Sequence, residues 1–424
     1  MKPTARAWFV LILVTFGLLA LGYSFVTRLK YAPDEPAHYI YIRSLATKHV
    51  PPPISHKDTP TEESEATHEG HQPPLYYALM AVFYALLRSQ GASDELIWRV
   101  LRLLDIPIGL LWISSVYALT REYFGRESRA LAATAFVALI PTSSYMAGVI
   151  NNEMLISLLF TRAMLPMLRY FKTGSMTLRS AVSLGLLIGL ASLTKAQGLV
   201  LVPLVVLAAF AVCRRERRSG WAEAVRVGLP VLGCALLVSG WWFARCWALY
   251  GTPLPHSLNE PMLQSGLLEL MAVPGSCLFL MLVSTLAVYG YFWVPFWLVW
   301  PFVSTMLPLI AVTVALTLVV LVGVALRIRR APDVDARSLG FLLAAPVLVY
   351  AAWLRYVLFV DRWANLQGRL FLSVAAVVGI VWIVGFEGLF RSDRAKRGAL
   401  AAGLAMMFAT NVAVMACAVK LYSS

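Results

Sequence analysis

The sequence predicts an all-α, polytopic membrane protein of about 11 transmembrane helices, with outward-facing interfacial helices in its first outer loop. Three observations carry that expectation. Hydrophobic residues make up 59% of the 424-residue chain, and its mean hydropathy is +0.72. Apolar runs recur close to the ~20 residues that cross a bilayer. The basic residues behind the net charge of +14 cluster between those runs, where the positive-inside rule places them. Topology therefore accounts for the charge, and no nucleic-acid partner is expected. Cys213, Cys234, Cys246, Cys277 and Cys417 show neither CxxC nor ligand-like spacing, so neither a structural metal nor a disulfide framework is indicated. The chain reads as one transmembrane domain over 1–424, with a first outer loop at 28–93 and a second outer region at 245–299.

The elements follow in order. Lys2 and Arg6 precede an apolar run over 7–26, which reads as an uncleaved first helix with its N-terminus in the cytoplasm. Asp34 and Pro36 then suit the start of a short helix ending near 47. The Pro-, Thr-, Glu- and His-rich piece at 51–70 reads as a flap. The apolar stretch 75–87 is short for a span and is expected to lie along the outer surface, because a single crossing over 97–119 then brings Arg121 to Arg129 inside. Further spans are expected over 130–149, 154–170, 181–193, 199–212, 225–243, 300–326, 338–359, 370–389 and 400–419. Segment 277–299 reads as interfacial or re-entrant, since a crossing there would put Arg327, Arg329, Arg330 and Arg337 outside.

The first outer loop concentrates the chemistry. It carries Asp34, Glu35, Asp58, Glu62, Glu63, Glu65 and Glu69 and five of the six histidines, in a chain that is only 14% charged. Under the expected topology it faces the same side as Glu153, Lys195, Arg245, Gln367 and Arg369. Carboxylates beside cations at a membrane surface suit a reaction on a lipid phosphate, with the cations neutralising the leaving group and a carboxylate taking a proton or holding a metal. Singly, each residue has a plainer reading. Asp34 suits a helix N-cap, Lys195 a snorkelling helix end, Arg369 a pair with Asp361 or lipid headgroups, and His68, Glu69 and His71 a solvated loop without HExxH spacing.

Tyr31-Ala32-Pro33-Asp34-Glu35-Pro36-Ala37-His38-Tyr39 and His71-Gln72-Pro73-Pro74-Leu75-Tyr76-Tyr77 resemble the first outer loop of the GT-C glycosyltransferases. These multi-spanning enzymes use polyprenyl-phosphate sugars, and include protein O-mannosyltransferases and the aminoarabinose transferases of lipid A. Asn151-Asn152-Glu153, Leu193-Thr194-Lys195, Gly240-Trp241-Trp242 and Gln367-Gly368-Arg369 agree with that pattern in order. The resemblance implies transfer of a hexosyl or pentosyl group from a polyprenyl-phosphate carrier to a glycan, lipid or protein acceptor. The site would face away from the cytoplasm of a prokaryotic plasma membrane.

It implies Asp34 as the essential acid with Glu35 beside it, and Lys195, Arg369 and Arg245 against the donor phosphate. His38, His71, Gln72, Tyr76, Glu153 and Gln367 are the substrate-binding candidates, and Asp34, Glu35 and His38 the candidate ligands for a divalent metal cofactor. Where the lipid A enzymes have Glu-Lys, this chain has His71-Gln72. A transporter or flippase of a lipid-linked or anionic substrate and a non-catalytic partner in envelope polymer synthesis are the competing readings.

Overall fold

The computed structural model describes residues 2–54, 69–255, 303–330, 334–359 and 367–423, with a few residues between 285 and 295. Among them the chain is helical and holds no strand. Among the described residues eight helices are long and apolar enough to cross a membrane, starting with α1 (Pro3–Val26). They coincide with eight of the eleven expected crossings. The other three expected spans are helical but differ in kind, so the count of eleven is not reproduced by length and apolarity.

Two helices occupy residues 28–93, the loop expected from the sequence to be the first outer one. Helix α2 covers Glu35–Lys48, and α3 covers Leu75–Ser89. At 15 residues α3 is about 22 Å long, short of a bilayer core. The two pack face to face through aromatic rings, with Tyr41 stacked on Tyr77 at 3.8 Å between centroids. Residues 55–68, His68 included, and nearly all of 277–299 lie outside the described residues.

Helix α4 (Asp94–Phe124) begins at Ser93, whose side chain accepts from the Leu96 N–H at 3.3 Å, and ends at Gly125 in the left-handed region. It fills the place of the crossing expected over 97–119, although Arg99, Arg102 and Asp105 charge its first half and it is not one of the eight. The span expected over 130–149 is instead two helices, α5 (Glu127–Ala138) and α6 (Pro141–Met146). Pro141 is the reason. It lacks an N–H, it pushes Ile140 into extended backbone, and it opens the second helix.

The chain continues through α7 (Glu153–Thr173), α8 (Leu178–Thr194), a 3₁₀ turn at Ala196–Val200, α9 (Leu201–Glu216) and α10 (Gly220–Tyr250). After the second outer region come α11 (Val303–Arg330), α12 (Ala336–Phe359), a 3₁₀ turn at Gly368–Val374, α13 (Ala375–Leu389) and α14 (Asp393–Ser423). Helices α11 and α13 cross at glycines. A Cβ added to Gly388 would fall 1.8 Å from the Gly323 carbonyl oxygen, so backbone packs on backbone there.

A buried ion pair fixes the outer loop to this frame. Glu35 and Arg102 both have fully buried side chains. Arg102 Nε and Nη2 each donate to a Glu35 oxygen at 2.6 Å. Its remaining N–H groups reach the carbonyls of Ser24 at 3.0 Å, Thr27 at 2.7 Å and Arg28 at 3.1 Å. All five donors of the guanidinium are thus used, and Arg102 satisfies the carbonyls left open where α1 ends. The Ile150 N–H completes the Glu35 side at 3.2 Å.

Removing one member strands the other charge. Arg102→Met is expected to cost about 3–5 kcal/mol and to lower the melting temperature of the detergent-solubilised protein, whereas adding Glu35→Gln should recover much of that loss. Equal melting for wild type and Arg102→Met would deny the pair its anchoring role.

Candidate active site

A cavity of about 650 Å³ opens where the two outer-loop helices meet the helix ends that follow them. One end is charged and polar, lined by Asp34, His38, Glu69, His71, Gln72, Asn152, Glu153, Lys195 and Arg369. The other is largely apolar, with Val200 and Pro203, Trp242 and Phe243 on α10, and Leu348, Val349, Ala352 and Trp353 on α12, which also brings Arg355 and Tyr356 to the lining.

Asp34 owes its position to its backbone. It stands at the N-cap position of α2, its carbonyl accepting from the His38 N–H at 2.9 Å, but with φ at +57° its side chain makes no cap bond. This left-handed conformation is uncommon away from glycine, and aspartate tolerates it better than most residues. It swings the carboxylate to Arg369, whose Nη2 holds Oδ2, while Nη1 donates to the Pro33 carbonyl at 3.2 Å. The guanidinium therefore clamps both residues of the turn.

Glu153 opens α7, where a negative side chain is favoured, and the Asn151 side chain accepts from its N–H at 2.8 Å. Its Oε1 pairs with Lys195 Nζ and lies 3.9 Å from Arg369 Nε. That Nε is buried and has no hydrogen-bond partner among the described residues.

Lys195 comes from the turn after α8. A Cβ on Gly198 would lie 2.4 Å from the Ala191 carbonyl carbon, so only glycine lets the turn close this tightly. Gln197 Nε2 ties that turn to the Arg369 segment through the Leu370 carbonyl at 2.8 Å and Ser373 Oγ at 2.9 Å. Asn152 Nδ2 reaches Gln72 Oε1 at 3.3 Å and the Thr194 carbonyl at 3.4 Å, joining the outer loop to the same corner.

His38 Nδ1 is 2.8 Å from the Tyr77 hydroxyl. Burial lowers the His38 pKa from 6.5 to about 4, against the opposing pull of Glu69 and Asp34, while Arg369 and Lys195 add to the lowering. The ring is therefore neutral near pH 7. Burial also pushes the Tyr77 phenol well above its usual range, so it keeps its proton.

Of the residues expected from the sequence, Asp34, His38, His71, Gln72, Glu153, Lys195 and Arg369 meet in this cavity. Four do not line it. Glu35 is turned into Arg102. Tyr76 is buried behind, donating to Asp105 Oδ2 at 2.7 Å and accepting from the Asn151 N–H at 3.1 Å. Arg245 sits 5.1 Å over the ring of Trp242, which lines the cavity in its place. The Gln367 carbonyl accepts from the Leu370 N–H at 3.3 Å, closing the turn that carries Arg369.

Asn152, Gln197 and Arg355 also belong to the lining and were not among the candidates, and Glu69, expected as part of a solvated loop beside His68 and His71, lines it too. Asn152 and Gln197 adjoin residues that were, which is the signal available. Arg355 carries none, sitting within an apolar run.

The expected metal ligands do not fit a protein-held ion. Both Glu35 oxygens are on Arg102, and Asp34 is on Arg369. Among the described residues no three His, Cys, Asp or Glu side chains gather as a ligand set. The positive charge at the polar end comes from Lys195 and Arg369.

Residues 71–243 match the family model described as dolichyl-phosphate-mannose-protein mannosyltransferase. That span holds Gln72, Asn152, Glu153 and Lys195 but neither Asp34 nor Arg369. No curated protein sequence matches the chain.

Among solved structures, ArnT from Cupriavidus metallidurans bound to undecaprenyl phosphate aligns with 96% of this chain at 18% identity and a TM-score of 0.53. An Archaeoglobus fulgidus oligosaccharyltransferase, tethered with an acceptor peptide containing the NVT sequon, aligns with 97% of this chain at 15% identity and a TM-score of 0.53. The same archaeal enzyme in complex with Zn and sulfate aligns with 96% at 16% identity and a TM-score of 0.52. The chain spans 64% of the length of ArnT and 55% and 53% of the two archaeal structures. By these likenesses the chain is a membrane protein of the GT-C fold, with a central segment similar to the dolichyl-phosphate-mannose-protein mannosyltransferases.

Proposed function

We propose that the protein is a glycosyltransferase that moves a sugar from a polyprenyl-phosphate carrier to a glycan, lipid or protein acceptor on the extracytoplasmic side of the membrane. The observation that carries this reading is the two-ended cavity. Lys195 and Arg369, whose Nε makes no hydrogen bond among the described residues, offer positive charge and an open donor to a phosphate, and the wall of α9, α10 and α12 continues from them as a largely apolar surface for an isoprenoid tail. The extracytoplasmic side follows from the basic segments between spans.

In this reading Asp34 takes the proton of the acceptor hydroxyl as its oxygen attacks C1 of the sugar from the face opposite the phosphate. The bond from C1 to the phosphate oxygen breaks, its electron pair stays on the polyprenyl phosphate, and Lys195 and Arg369 meet the added negative charge. A single displacement of this kind inverts the anomeric centre. His38, being neutral, adds no charge beside Asp34 and can offer a hydrogen bond.

The resting ion pairs add a constraint. Arg369 is held by Asp34 and Lys195 by Glu153, so a phosphate competes with carboxylates for both cations. Arrival of the phosphate on Arg369 loosens Asp34 for its work as a base.

Transfer by the purified chain from an undecaprenyl-phosphate sugar is expected to fall more than about a hundredfold in Asp34→Asn, near 2.7 kcal/mol of barrier. Binding of undecaprenyl phosphate should hold or tighten in that variant and weaken at least about tenfold in Arg369→Ala. Unchanged turnover in Asp34→Asn would leave Asp34 a clamp for Arg369 and end this assignment.

His38 sets a pH dependence of stability. Its folded pKa is depressed from 6.5 to about 4, so the unfolded chain takes up the proton first as pH falls. Stability should therefore be level with respect to this group above pH 6.5 and drop between 6.5 and 4. Thermal unfolding followed over that window should show a smaller slope in His38→Gln, and equal slopes would remove His38 as the cause.

A further inference from the structure

Glu69 stands apart from the other acids of the cavity. Asp34 and Glu153 each have a cation, but Oε2 of Glu69 is buried and has no hydrogen-bond partner among the described residues. The residue is 4% exposed and lines the cavity. Its backbone carbonyl accepts from the Gln72 N–H at 2.9 Å, and the Tyr41 hydroxyl holds the Gln72 carbonyl at 3.1 Å, so the turn that carries it is fastened to α2. Of the charged groups around His38, Glu69 acts on it most strongly, followed by Asp34, and it also acts on Arg369. The carboxylate is therefore at the polar end, among the residues that would surround the group attached to the phosphate.

Buried polar atoms in folded proteins are nearly always hydrogen-bonded, and a carboxylate oxygen left without a donor is costly. A fixed, buried, unpartnered acceptor in a cavity is accounted for by a ligand that brings the donor. The phosphate cannot do so, being itself an acceptor and an anion. The sugar can, through its hydroxyl groups.

We propose that Glu69 is the residue that selects the donor sugar, its carboxylate accepting hydrogen bonds from ring hydroxyls while Lys195 and Arg369 hold the phosphate. This rests on the transferase reading. It divides donor recognition into a part that reads the carrier and a part that reads the sugar. A site built to hydrogen-bond a hydroxyl discriminates strongly against a ligand lacking it, because the acceptor then stays buried and unpaired.

The test uses the full chain in detergent and follows the fluorescence of Trp242 and Trp353, which line the cavity. The probes are bare undecaprenyl phosphate and undecaprenyl phosphate carrying a hexose or a pentose. Wild type is expected to bind at least one sugar-bearing carrier about tenfold or more tightly than the bare carrier. Glu69→Gln and Glu69→Ala should cut that preference to about twofold or less, leave the affinity for the bare carrier within about twofold or raise it, and melt within a few degrees of wild type.

A preference that survives both substitutions overturns the proposal, as does wild type binding bare and sugar-bearing carriers alike. Loss of bare-carrier affinity in both variants also overturns it, because Glu69 would then support the phosphate side. Failure of wild type to bind the bare carrier would instead strike the transferase reading on which the proposal stands.

Discussion

The turn at Pro33-Asp34-Glu35 sends two neighbouring carboxylates in opposite directions, and the placement of the outer loop depends on it. With Asp34 in the left-handed region, its side chain leaves toward Arg369 and the cavity, while Glu35, the first residue of α2, goes inward to Arg102. An extended or right-handed Asp34 would lose that divergence. The strain of such a residue is of order 1–3 kcal/mol and persists only where the surroundings over-determine it. Here they do, because Arg369 grips both Asp34 and the Pro33 carbonyl, and Arg102 grips both Glu35 and the end of α1.

From that turn the cavity is assembled by short polar links. Asn152 connects the outer loop to the end of α8, Gln197 connects the Lys195 turn to the Arg369 turn, and Glu153 stands between Lys195 and Arg369. Each link is between residues at helix ends, where backbone groups lack intrahelical partners and side chains are free to reach across. The long helices supply the wall, and their ends supply the chemistry.

Much of this was legible in the sequence. Apolar run length and the spacing of basic residues located eight crossings, and the ionisable residues gathered in one loop marked where the polar end of the cavity would be. The division of labour between Asp34 and Glu35 was not legible, because it turns on one backbone dihedral that either residue could have adopted. Tyr76 and Arg245 sit in motifs beside cavity residues, yet helix rotation sends the first to Asp105 and ring stacking keeps the second over Trp242. Pro141 is a break that the sequence displays, and it divides the helix expected there. In the sequence Glu69 reads as one more acid of a solvated loop beside His68 and His71. Its environment comes from Tyr41, Gln72, Tyr77 and His38, which are spread over two helices and a turn.

The pair between Asp34 and Arg369 joins residues 335 positions apart in the chain. At ~5–20 residues per second of synthesis, Asp34 emerges roughly 17–67 seconds before its partner exists. Through that interval the acid turn has no guanidinium to clamp it, and the cavity has no closed corner. The site is thus completed only when the 3₁₀ turn ahead of α13 arrives, and a chain stalled before that turn holds Asp34, Glu153 and Lys195 without the residue that draws the first two together.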